Sequence, residues 1–292
     1  GGKIFIQINH AGRQTASQTT GVPIVSSSAV RCPLREETPM ALTATEIHEL
    51  IGVFANAAER VKAAGADGVE IHMAHGYLLN QFLSPVVNKR DDEFGGSFDN
   101  RMKVPLETLR AVRKIVGKDF PISCRISGDE YLDDGLGLAD TQKVAQALEK
   151  NGADVIHVSA CMSSSPFPMI PHYYMEEGTF VHLAAGIKSV VDIPVICVGR
   201  IRNPKMAEEI VASGKADLVS MGRALIADPH MPNKARAGQF EKIVPCISCN
   251  RCSLSLVKVG SLRCTVNPEV SRETWLKIEN KVAHPKNVWI IG

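Results

Sequence analysis

Two histidines and a tyrosine stand close together in the sequence VEIHMAHGY. A predicted strand, Asp67–Ile71, runs directly into His72, and His75 and Tyr77 flank a glycine, Gly76, at which the chain is expected to turn. The three side chains are therefore predicted to cluster at the carboxyl end of one strand. Two imidazoles and a phenol in one place could bind a carbonyl oxygen and supply a proton beside it. The alternative is three ordinary half-buried polar residues at a strand–helix junction.

Two further polar side chains fall inside apolar predicted strands. Gln7 lies within Ile4–Ile8, and its amide needs hydrogen-bond partners if that strand is buried. Arg125 lies within Ile122–Ile126 as an inward-facing cation that must be paired. The ring edge of a flavin would suit both residues, because it offers donors and acceptors and becomes anionic on reduction. A buried carboxylate such as Glu70 is the alternative partner for Arg125.

A glycine followed by an arginine comes at the end of two consecutive predicted strands. Gly199 precedes Arg200 after the first strand, and Gly222 precedes Arg223 after the second. Glycine lets backbone N–H groups approach an anion, and the second pair opens a predicted helix, whose amino end favours negative charge. These four residues together predict a phosphate-binding site.

Four of the eight cysteines are bunched near the end of the chain. Cys246, Cys249 and Cys252 form a tight run, and Cys264 follows after eleven further residues. Three close thiolates with a fourth nearby are typical of iron–sulfur ligation, whereas structural zinc usually has two separated pairs. We therefore predict an iron–sulfur cluster, with zinc as the alternative at the same four cysteines. A cluster attached to a flavin site would act most simply as a one-electron relay.

The composition excludes several classes of protein. The chain has 292 residues, 45% of them hydrophobic, and a formal net charge of +2, so it shows no excess of charge for nucleic acid or anionic membranes. No apolar run approaches the ~20 residues of a membrane-spanning helix, and no signal peptide is visible. Eight cysteines are too few for a disulfide scaffold in a chain of this size. These features predict a soluble cytoplasmic protein without nucleic-acid or membrane partners, and they leave a homo-oligomer open.

Apolar strands and amphipathic helices alternate along most of the chain. Six strands are predicted, each followed by a helix, and this pattern implies a parallel sheet covered on both faces. The predicted strands are 4–8, 67–71, 121–126, 154–159, 194–198 and 217–221, and the predicted helices are 43–64, 78–83, 100–116, 139–151, 180–191 and 204–213. A doubly wound sheet is an alternative, but the distinctive polar residues follow the strands, as in a (β/α)8 barrel. Six strands do not close such a barrel, so its first two β–α units are expected to lie upstream of this chain.

The last residues are predicted to form one more apolar strand, Val288–Gly292, which follows a short basic segment. Such a strand often begins a dinucleotide-binding unit, and a stray terminal strand is the alternative. The predicted division is an incomplete barrel over residues 1–240, an iron–sulfur segment over residues 241–283, and the start of a dinucleotide-binding domain over residues 284–292. The chain is thus expected to be cut at both ends.

Four stretches of the sequence resemble the old yellow enzyme family. They are QINHAGR at residues 7–13, VEIHMAHGYLLNQFLSP at 69–85, DDEFGGSFDNR at 91–101 and MGRALIADP at 221–229. The cysteine segment through Asn267–Pro268 resembles the iron–sulfur flavoenzyme branch of that family, which includes 2,4-dienoyl-CoA reductase, enoate reductase, trimethylamine dehydrogenase and the bile-acid and steroid oxidoreductases. The resemblance implies an FMN-binding (β/α)8 barrel, a [4Fe-4S] cluster, and a following module that binds FAD and NAD(P)H.

The family's functional residues carry over position by position. By resemblance, Gln7 and Arg125 contact the flavin ring, and the two Gly–Arg pairs contact its phosphate side. His72 and His75 bind the substrate's carbonyl oxygen, and Tyr77 is the proton donor. The implied reaction reduces an α,β-unsaturated carbonyl compound with hydride from FMN, while electrons come from NAD(P)H through FAD and the cluster.

Two departures from the family pattern bear on the substrate. The dienoyl-CoA reductases have a non-histidine residue where His72 stands, and they have a histidine in the loop that reads ACMSSS here, at residues 160–165. A cyclic enone, a steroid or bile-acid enone, or an enoate is therefore expected rather than a dienoyl-CoA thioester. The interval from Cys249 to Cys252 is one residue tighter than in those enzymes, so Cys252 fits the pattern least. Three alternatives remain. They are a 2,4-dienoyl-CoA reductase, an amine dehydrogenase of the trimethylamine dehydrogenase type, and a zinc-stabilised barrel without redox chemistry.

Overall fold

The computed structural model describes residues 2–276 and 284–289 of the chain, which divides into two compact units. The first unit comprises Gly1–Ile201 and Lys205–Ser220, and the second comprises Arg202–Pro204 and Met221–Gly292. All six predicted strands fall in the first unit, and the four clustered cysteines fall in the second. The domain boundaries predicted at residues 240 and 283 stay a prediction.

Six parallel strands form the main sheet of the first unit. In chain order, the strands of the protein are β1 (Phe5–Ile8), β2 (Val25–Ser26), β3 (Met40–Ala41), β4 (Gly68–Met73), β5 (Ile122–Ser127), β6 (Val155–Ser159), β7 (Val195–Cys197) and β8 (Leu218–Val219). The sheet has the order β1-β4-β5-β6-β7-β8, and every neighbouring pair is parallel. Because the winding never reverses direction, it is that of a (β/α)8 barrel and not of a doubly wound sheet. The predicted α/β barrel fold is confirmed, and the two upstream β–α units stay a prediction.

Helices connect the successive strands of this sheet. In chain order they are α1 (Ser17–Thr20), α2 (Ala44–Ala63), α3 (Leu78–Leu83), α4 (Phe98–Val116), α5 (Leu138–Lys150), α6 (Val181–Lys188), α7 (Pro204–Ala212), α8 (Gly222–Ala227), α9 (Met231–Arg236) and α10 (Arg251–Val259). Helix α2 begins with the capping box that its sequence indicates: Thr43 Oγ1 accepts from the Glu46 N–H at 3.3 Å, and the Glu46 carboxylate accepts from the Thr43 N–H at 2.7 Å. All six predicted helices are present, with ends shifted by a few residues.

Several short elements lie in segments for which the sequence predicts no strand or helix. Strands β2 and β3 pair in parallel as a separate two-stranded sheet within the polar stretch that follows β1. Helix α1 has only four residues, and α9 has six. An apolar pattern cannot repeat over so few residues, so sequence periodicity does not reveal such elements.

The register of the main sheet brings polar residues of three neighbouring strands to one level. His72 of β4 pairs with Arg125 of β5, and Arg125 pairs with His157 of β6. Side chains alternate along a strand, so residues two positions away point to the same face as this row. Those residues are Glu70, Ser123, Ser127, Val155 and Ser159.

Two strand predictions need correction. Strand β4 ends at Met73 rather than Ile71, so His72 lies inside the strand and is only 4% exposed. Gln7 was expected in a buried strand but is exposed. The reason is that β1 is an edge strand, and within the described residues its outer edge has no partner strand.

The described residues of the second unit form short helices and loops, and its α-helices there are α8, α9 and α10 besides the start of α7. Of the predicted strand Val288–Gly292, residues 290–292 lie outside the described residues, and residues 288 and 289 belong to no strand. None of the helices in the described part of the chain is both long enough and apolar enough to traverse a bilayer.

Candidate active site

The carboxyl end of β4 places two histidines and a tyrosine together, as the sequence predicts. His75 and Gly76 are consecutive residues with left-handed backbones, with φ of +62° and +74°. This tight turn makes Tyr77 the N-cap residue of α3. The ring centroid of His72 lies 4.9 Å from that of His75 and 5.0 Å from that of Tyr77.

His75 is held by hydrogen bonds on both its ring and its backbone. Its Nδ1 lies 3.2 Å from His72 Nε2, and its Nε2 lies 2.7 Å from Ser159 Oγ. Its backbone N–H donates to Ser127 Oγ at 3.0 Å. The two imidazoles therefore face each other, and an oxygen that bound to both rings would replace the contact between them.

Both histidines are neutral near pH 7. Burial and, after it, the Arg125 cation lower the pKa of His72 to about 3. The same two causes hold the pKa of His75 well below its ordinary value. A neutral imidazole keeps one N–H to donate, and such a donor binds an oxygen more strongly as that oxygen becomes negative.

Glu70 is the centre of a half-buried polar layer next to this row. Its Oε1 accepts from Gln7 Nε2 at 2.6 Å, and its Oε2 accepts from Ser123 Oγ and from His157 Nδ1, each at 2.9 Å. Burial alone would raise the pKa of Glu70, but these hydrogen bonds, with that of His157 the strongest, lower it to about 2. The carboxylate is thus ionised and has its partners. The alternative that Glu70 pairs with Arg125 is not found, since the described residues contain no hydrogen bond or ion pair between the two.

Three nitrogens on one register row are buried and lack hydrogen-bond partners within the described part of the chain. They are His72 Nδ1, Arg125 Nε and His157 Nε2. Each unmatched group of this kind costs about 1–3 kcal/mol, so buried polar atoms normally have partners. Gln7 also has an amide oxygen that accepts no hydrogen bond from a described residue. The polar edge of a flavin ring fits this arrangement, because it carries both donors and acceptors.

Two residues of α3 hold the turn that carries His75. Asn80 Oδ1 accepts from the Gly76 N–H at 2.6 Å, and Asn80 Nδ2 donates to the fully buried Glu130 at 2.9 Å. Gln81 Nε2 donates to the Gly76 carbonyl at 2.6 Å. The backbone on both sides of the turn is therefore fixed by buried amide side chains.

The first Gly–Arg pair lies in the first unit, in the turn after β7. Gly199 has φ of +130°, and a Cβ added to it would stand 2.9 Å from the backbone nitrogen of Phe180. Arg200 Nη2 donates to the carbonyl of Tyr173 at 2.8 Å. Only a glycine fits this approach of two backbones.

The second Gly–Arg pair lies in the second unit. Gly222 begins α8, as predicted, and Arg223 Nη1 donates to Asn250 Oδ1 at 2.5 Å. The two pairs thus fall in different units. The phosphate site that Gly199, Arg200, Gly222 and Arg223 would form together stays a prediction.

The four clustered cysteines line a single cavity of the second unit, together with Arg223. The thiols of Cys246, Cys249, Cys252 and Cys264 are free. In the ranges that the structure describes, no three Cys, His, Asp or Glu side chains are arranged as a metal site. Four thiols around one cavity with a cation beside them are nonetheless the donor set of an iron–sulfur cluster. Zinc at the same thiols is the alternative that this donor set also allows.

His157 and Glu130 are the polar residues that the sequence analysis did not single out. His157 stands between two apolar residues of β6, in the same alternation that drew attention to Arg125, so its position inside a buried strand was the available signal. Glu130 lies in a loop after β5, where a carboxylate looks like an ordinary surface residue. Its burial depends on contacts with α3, which the local sequence does not reveal.

The sequence profile of the family described as NADH:flavin oxidoreductase / NADH oxidase matches residues 1–241. This range covers all six strands of the main sheet, together with the segments that carry Gln7, Tyr77 and Arg125.

Three curated relatives align with nearly the whole chain. An NADH oxidase of Thermoanaerobacter brockii is 45% identical over 100% of this chain and 45% of its own length. An N,N-dimethylglycine/sarcosine dehydrogenase of Chromohalobacter salexigens is 40% identical, over 97% of this chain and 41% of its own. A cinnamate reductase of Clostridium sporogenes is 33% identical, over 100% of this chain and 46% of its own. The chain therefore spans somewhat less than half the length of these relatives.

One solved structure with a close match is that of a 2-naphthoyl-CoA reductase in complex with 2-naphthoyl-CoA. It superposes with a TM-score of 0.86 at 31% sequence identity, over 91% of this chain and 43% of the other. The agreement in fold extends over more of the chain than the profile match does.

Proposed function

Because the chain belongs to the NADH:flavin oxidoreductase / NADH oxidase family, we propose that it binds FMN and reduces the C=C bond of an α,β-unsaturated carbonyl compound. The observation that carries this proposal is the group at the end of β4. Two buried, neutral imidazoles stand against each other at 3.2 Å with a phenol beside them. The name of the cinnamate reductase supports the substrate class, since cinnamate is an α,β-unsaturated carboxylate.

The residues that would hold FMN are the predicted ones. Gln7 and Arg125 present unmatched polar atoms that suit the ring edge, and the arginine cation would balance charge that develops there. The two Gly–Arg pairs would bind the phosphate. When bound, FMN supplies the hydride for the β-carbon of the substrate.

The two histidines would bind and polarise the carbonyl oxygen. An oxygen that takes the place of the contact between His72 and His75 receives an N–H from an uncharged ring, and that bond strengthens as enolate character develops. Tyr77 would then protonate the α-carbon, since it is the one phenol in contact with the histidine pair among the described residues. A phenol is a weak acid, and this suits donation to a carbanion-like centre.

The proposed electron supply runs from NAD(P)H through FAD and a [4Fe-4S] cluster. Four thiols on one cavity of the second unit support the cluster, with Cys246, Cys249, Cys252 and Cys264 as its ligands. FAD and NAD(P)H binding is proposed for the module that would follow this chain. An iron–sulfur chromophore bleached by dithionite would support this route, and stoichiometric zinc without iron would refute it.

Amine oxidation is the second candidate, because the dimethylglycine/sarcosine dehydrogenase is 40% identical to this chain. The described site favours the reductase. An alkylammonium substrate needs an anionic or aromatic partner, whereas the Arg125 cation acts on this site. The carboxylate of Glu70 is already engaged by three donors. The pure holoenzyme would decide the matter by turnover of 2-cyclohexenone against turnover of sarcosine.

The proton-donor role of Tyr77 is tested by Tyr77→Phe in the full-length protein. We expect NADH-dependent reduction of 2-cyclohexenone to fall by about 100-fold, since a positioned general acid contributes 10²–10⁴-fold. Reduction of the flavin by NADH should be unchanged. The matched control is Tyr131→Phe, whose ring stacks on Phe167 and does not contact the histidine pair. Turnover by Tyr77→Phe equal to that of the control would refute the assignment.

A further inference from the structure

His157 is a buried histidine that the proposed reaction does not yet use. Its side chain lies on β6 at the level of Arg125, and the residue is 7% exposed. Its Nδ1 lies 2.9 Å from Glu70 Oε2. Its Nε2 is buried and has no hydrogen-bond partner in the described part of the chain.

Glu70 fixes the tautomer of this histidine. The carboxylate is ionised and can only accept hydrogen bonds, so His157 Nδ1 must carry a hydrogen and donate it. The other ring nitrogen, Nε2, is then left to face its surroundings with a lone pair when the ring is neutral or with an N–H when it is protonated. A fixed polar atom that is shielded from water and lacks a hydrogen-bond partner indicates that a ligand group lies opposite it.

The neighbours of the orphaned atom indicate the chemistry of the group that would meet it. His157 Nε2 belongs to the same register row as Arg125 Nε and His72 Nδ1, and all three atoms are unmatched. The row thus presents a donor, from the guanidinium, next to an imidazole that can accept or donate. A planar heterocycle whose edge alternates carbonyl oxygens with a ring N–H is complementary to such a row.

Resting on the proposed function, we propose that His157 is a further contact of the bound flavin, reaching its pyrimidine edge through Nε2 beside Arg125. The Glu70 carboxylate orients the imidazole through its contact with Nδ1. This role differs from those of His72 and His75, whose rings contact each other and lie beside Tyr77.

The test uses two substitutions that distinguish the loss of His157 Nε2 from a disturbance of the polar layer around Glu70. His157→Asn keeps an N–H at the position of Nδ1 for Glu70 but removes Nε2. Ser123→Ala is the matched control, since it removes a hydrogen bond to the same carboxylate oxygen and leaves His157 in place. Each full-length protein is stripped of flavin and titrated with FMN, and binding is followed by quenching of flavin fluorescence.

We expect the Kd for FMN to rise about tenfold in His157→Asn, as loss of one hydrogen bond in a dry site predicts, and to stay within about twofold of wild type in Ser123→Ala. The visible spectrum of the bound flavin should shift in the first variant only. Wild-type affinity in His157→Asn would overturn the inference, and so would an equal loss in both variants, because the effect would then come from the layer around Glu70. A wild-type protein that binds no FMN would instead overturn the proposed function itself.

Discussion

At the level of single residues, the charge state of the histidine pair decides how the site can work. Two imidazolium ions at a separation of 3.2 Å would repel each other strongly in a buried site. Burial and the Arg125 cation keep both rings neutral, so one N–H and one lone pair can meet between them. In the proposed reaction the site would therefore stabilise developing negative charge with dipoles rather than with an ion pair.

This neutral state makes the stability of the fold depend on pH. In the unfolded chain a histidine takes up a proton below its ordinary pKa of about 6.5, whereas His72 in the folded chain does so only near a pKa of about 3. The folded state is therefore favoured above pH 6.5, and this advantage is lost as the pH falls towards 3. His72 alone should lower the free energy of unfolding by about 1.4 kcal/mol per pH unit in this window.

The measurement is urea unfolding between pH 6 and pH 5, a range above the ordinary titration of carboxylates. His72→Gln should reduce the slope of the unfolding free energy against pH by about 1.4 kcal/mol per pH unit, which corresponds to one proton. His48→Gln, at an exposed histidine of α2, is the matched control. Equal slopes in the two variants would contradict the neutral state of His72.

Sequence reasoning finds residues such as these when they form a local pattern. The cluster of His72, His75 and Tyr77 is visible because its members lie within six positions of one another. The contact of Glu70 with His157 joins residues 87 positions apart and depends on the register of three strands. The single sequence contains the alternation that turns both side chains inward, but not the register that brings them together.

At the level of elements, the loops after β1 and β4 are tied together by one side chain. Gln81 of α3 donates to the carbonyls of Gly76 and Ala11, and its Oε1 accepts from Ser26 and from the backbone N–H of Arg13. It is completely buried. The helix that follows the turn at His75 and Gly76 thus also holds the loop of a neighbouring strand in place.

This arrangement predicts an unusual sensitivity at Gly12. A Cβ added there would stand 2.2 Å from Gln81 Oε1, and φ is +58°. Gly12→Ala should lower the free energy of unfolding by about 3 kcal/mol, since it combines left-handed strain with overpacking. Gly21→Ala is the control, because φ is +75° there and nothing lies within 4 Å of the added atom, so only the strain of about 1 kcal/mol remains. A thermal unfolding midpoint that falls equally in both variants would show that Gln81 can move aside.

Most elements were predictable because their patterns are long. Helices such as α2 and α4 repeat their apolar positions over several turns, and the six strands of the main sheet stand between clear turn signals. The error at β4 arose because His72 is polar and suggested a strand end, although the strand runs two residues further with His72 facing inward. A polar residue inside a strand can be mistaken for the end of that strand when its side chain faces a polar interior.

At the level of the whole molecule, the edge of the main sheet is a prominent exposed surface of the first unit. The apolar side chains of Ile4, Phe5 and Ile6 are 61%, 43% and 43% exposed along β1. An exposed apolar edge strand is a template for pairing with another chain. Unless a further strand covers β1, this edge should therefore promote self-association as the protein concentration rises.

Ile6→Lys tests this expectation, since a lysine on an edge strand opposes pairing. Light scattering after size-exclusion chromatography should show a smaller concentration-dependent increase in mass for this variant. Val257→Lys on α10 is the control, as that valine is 83% exposed but belongs to no strand. If both variants suppress association to the same degree, general surface apolarity is the cause and the edge is not.

The left-handed backbone of His75, with φ of +62°, also limits how this protein can change over time. Asparagine, aspartate and glycine tolerate that conformation, whereas valine, isoleucine and threonine are strongly disfavoured in it. The backbone conformation therefore limits which residues can replace His75, whatever the chemistry of their side chains. Substitutions that persist at this position during evolution should therefore often carry a short amide or carboxylate side chain. For the same reason, a mutant library at this position needs only a few residue types.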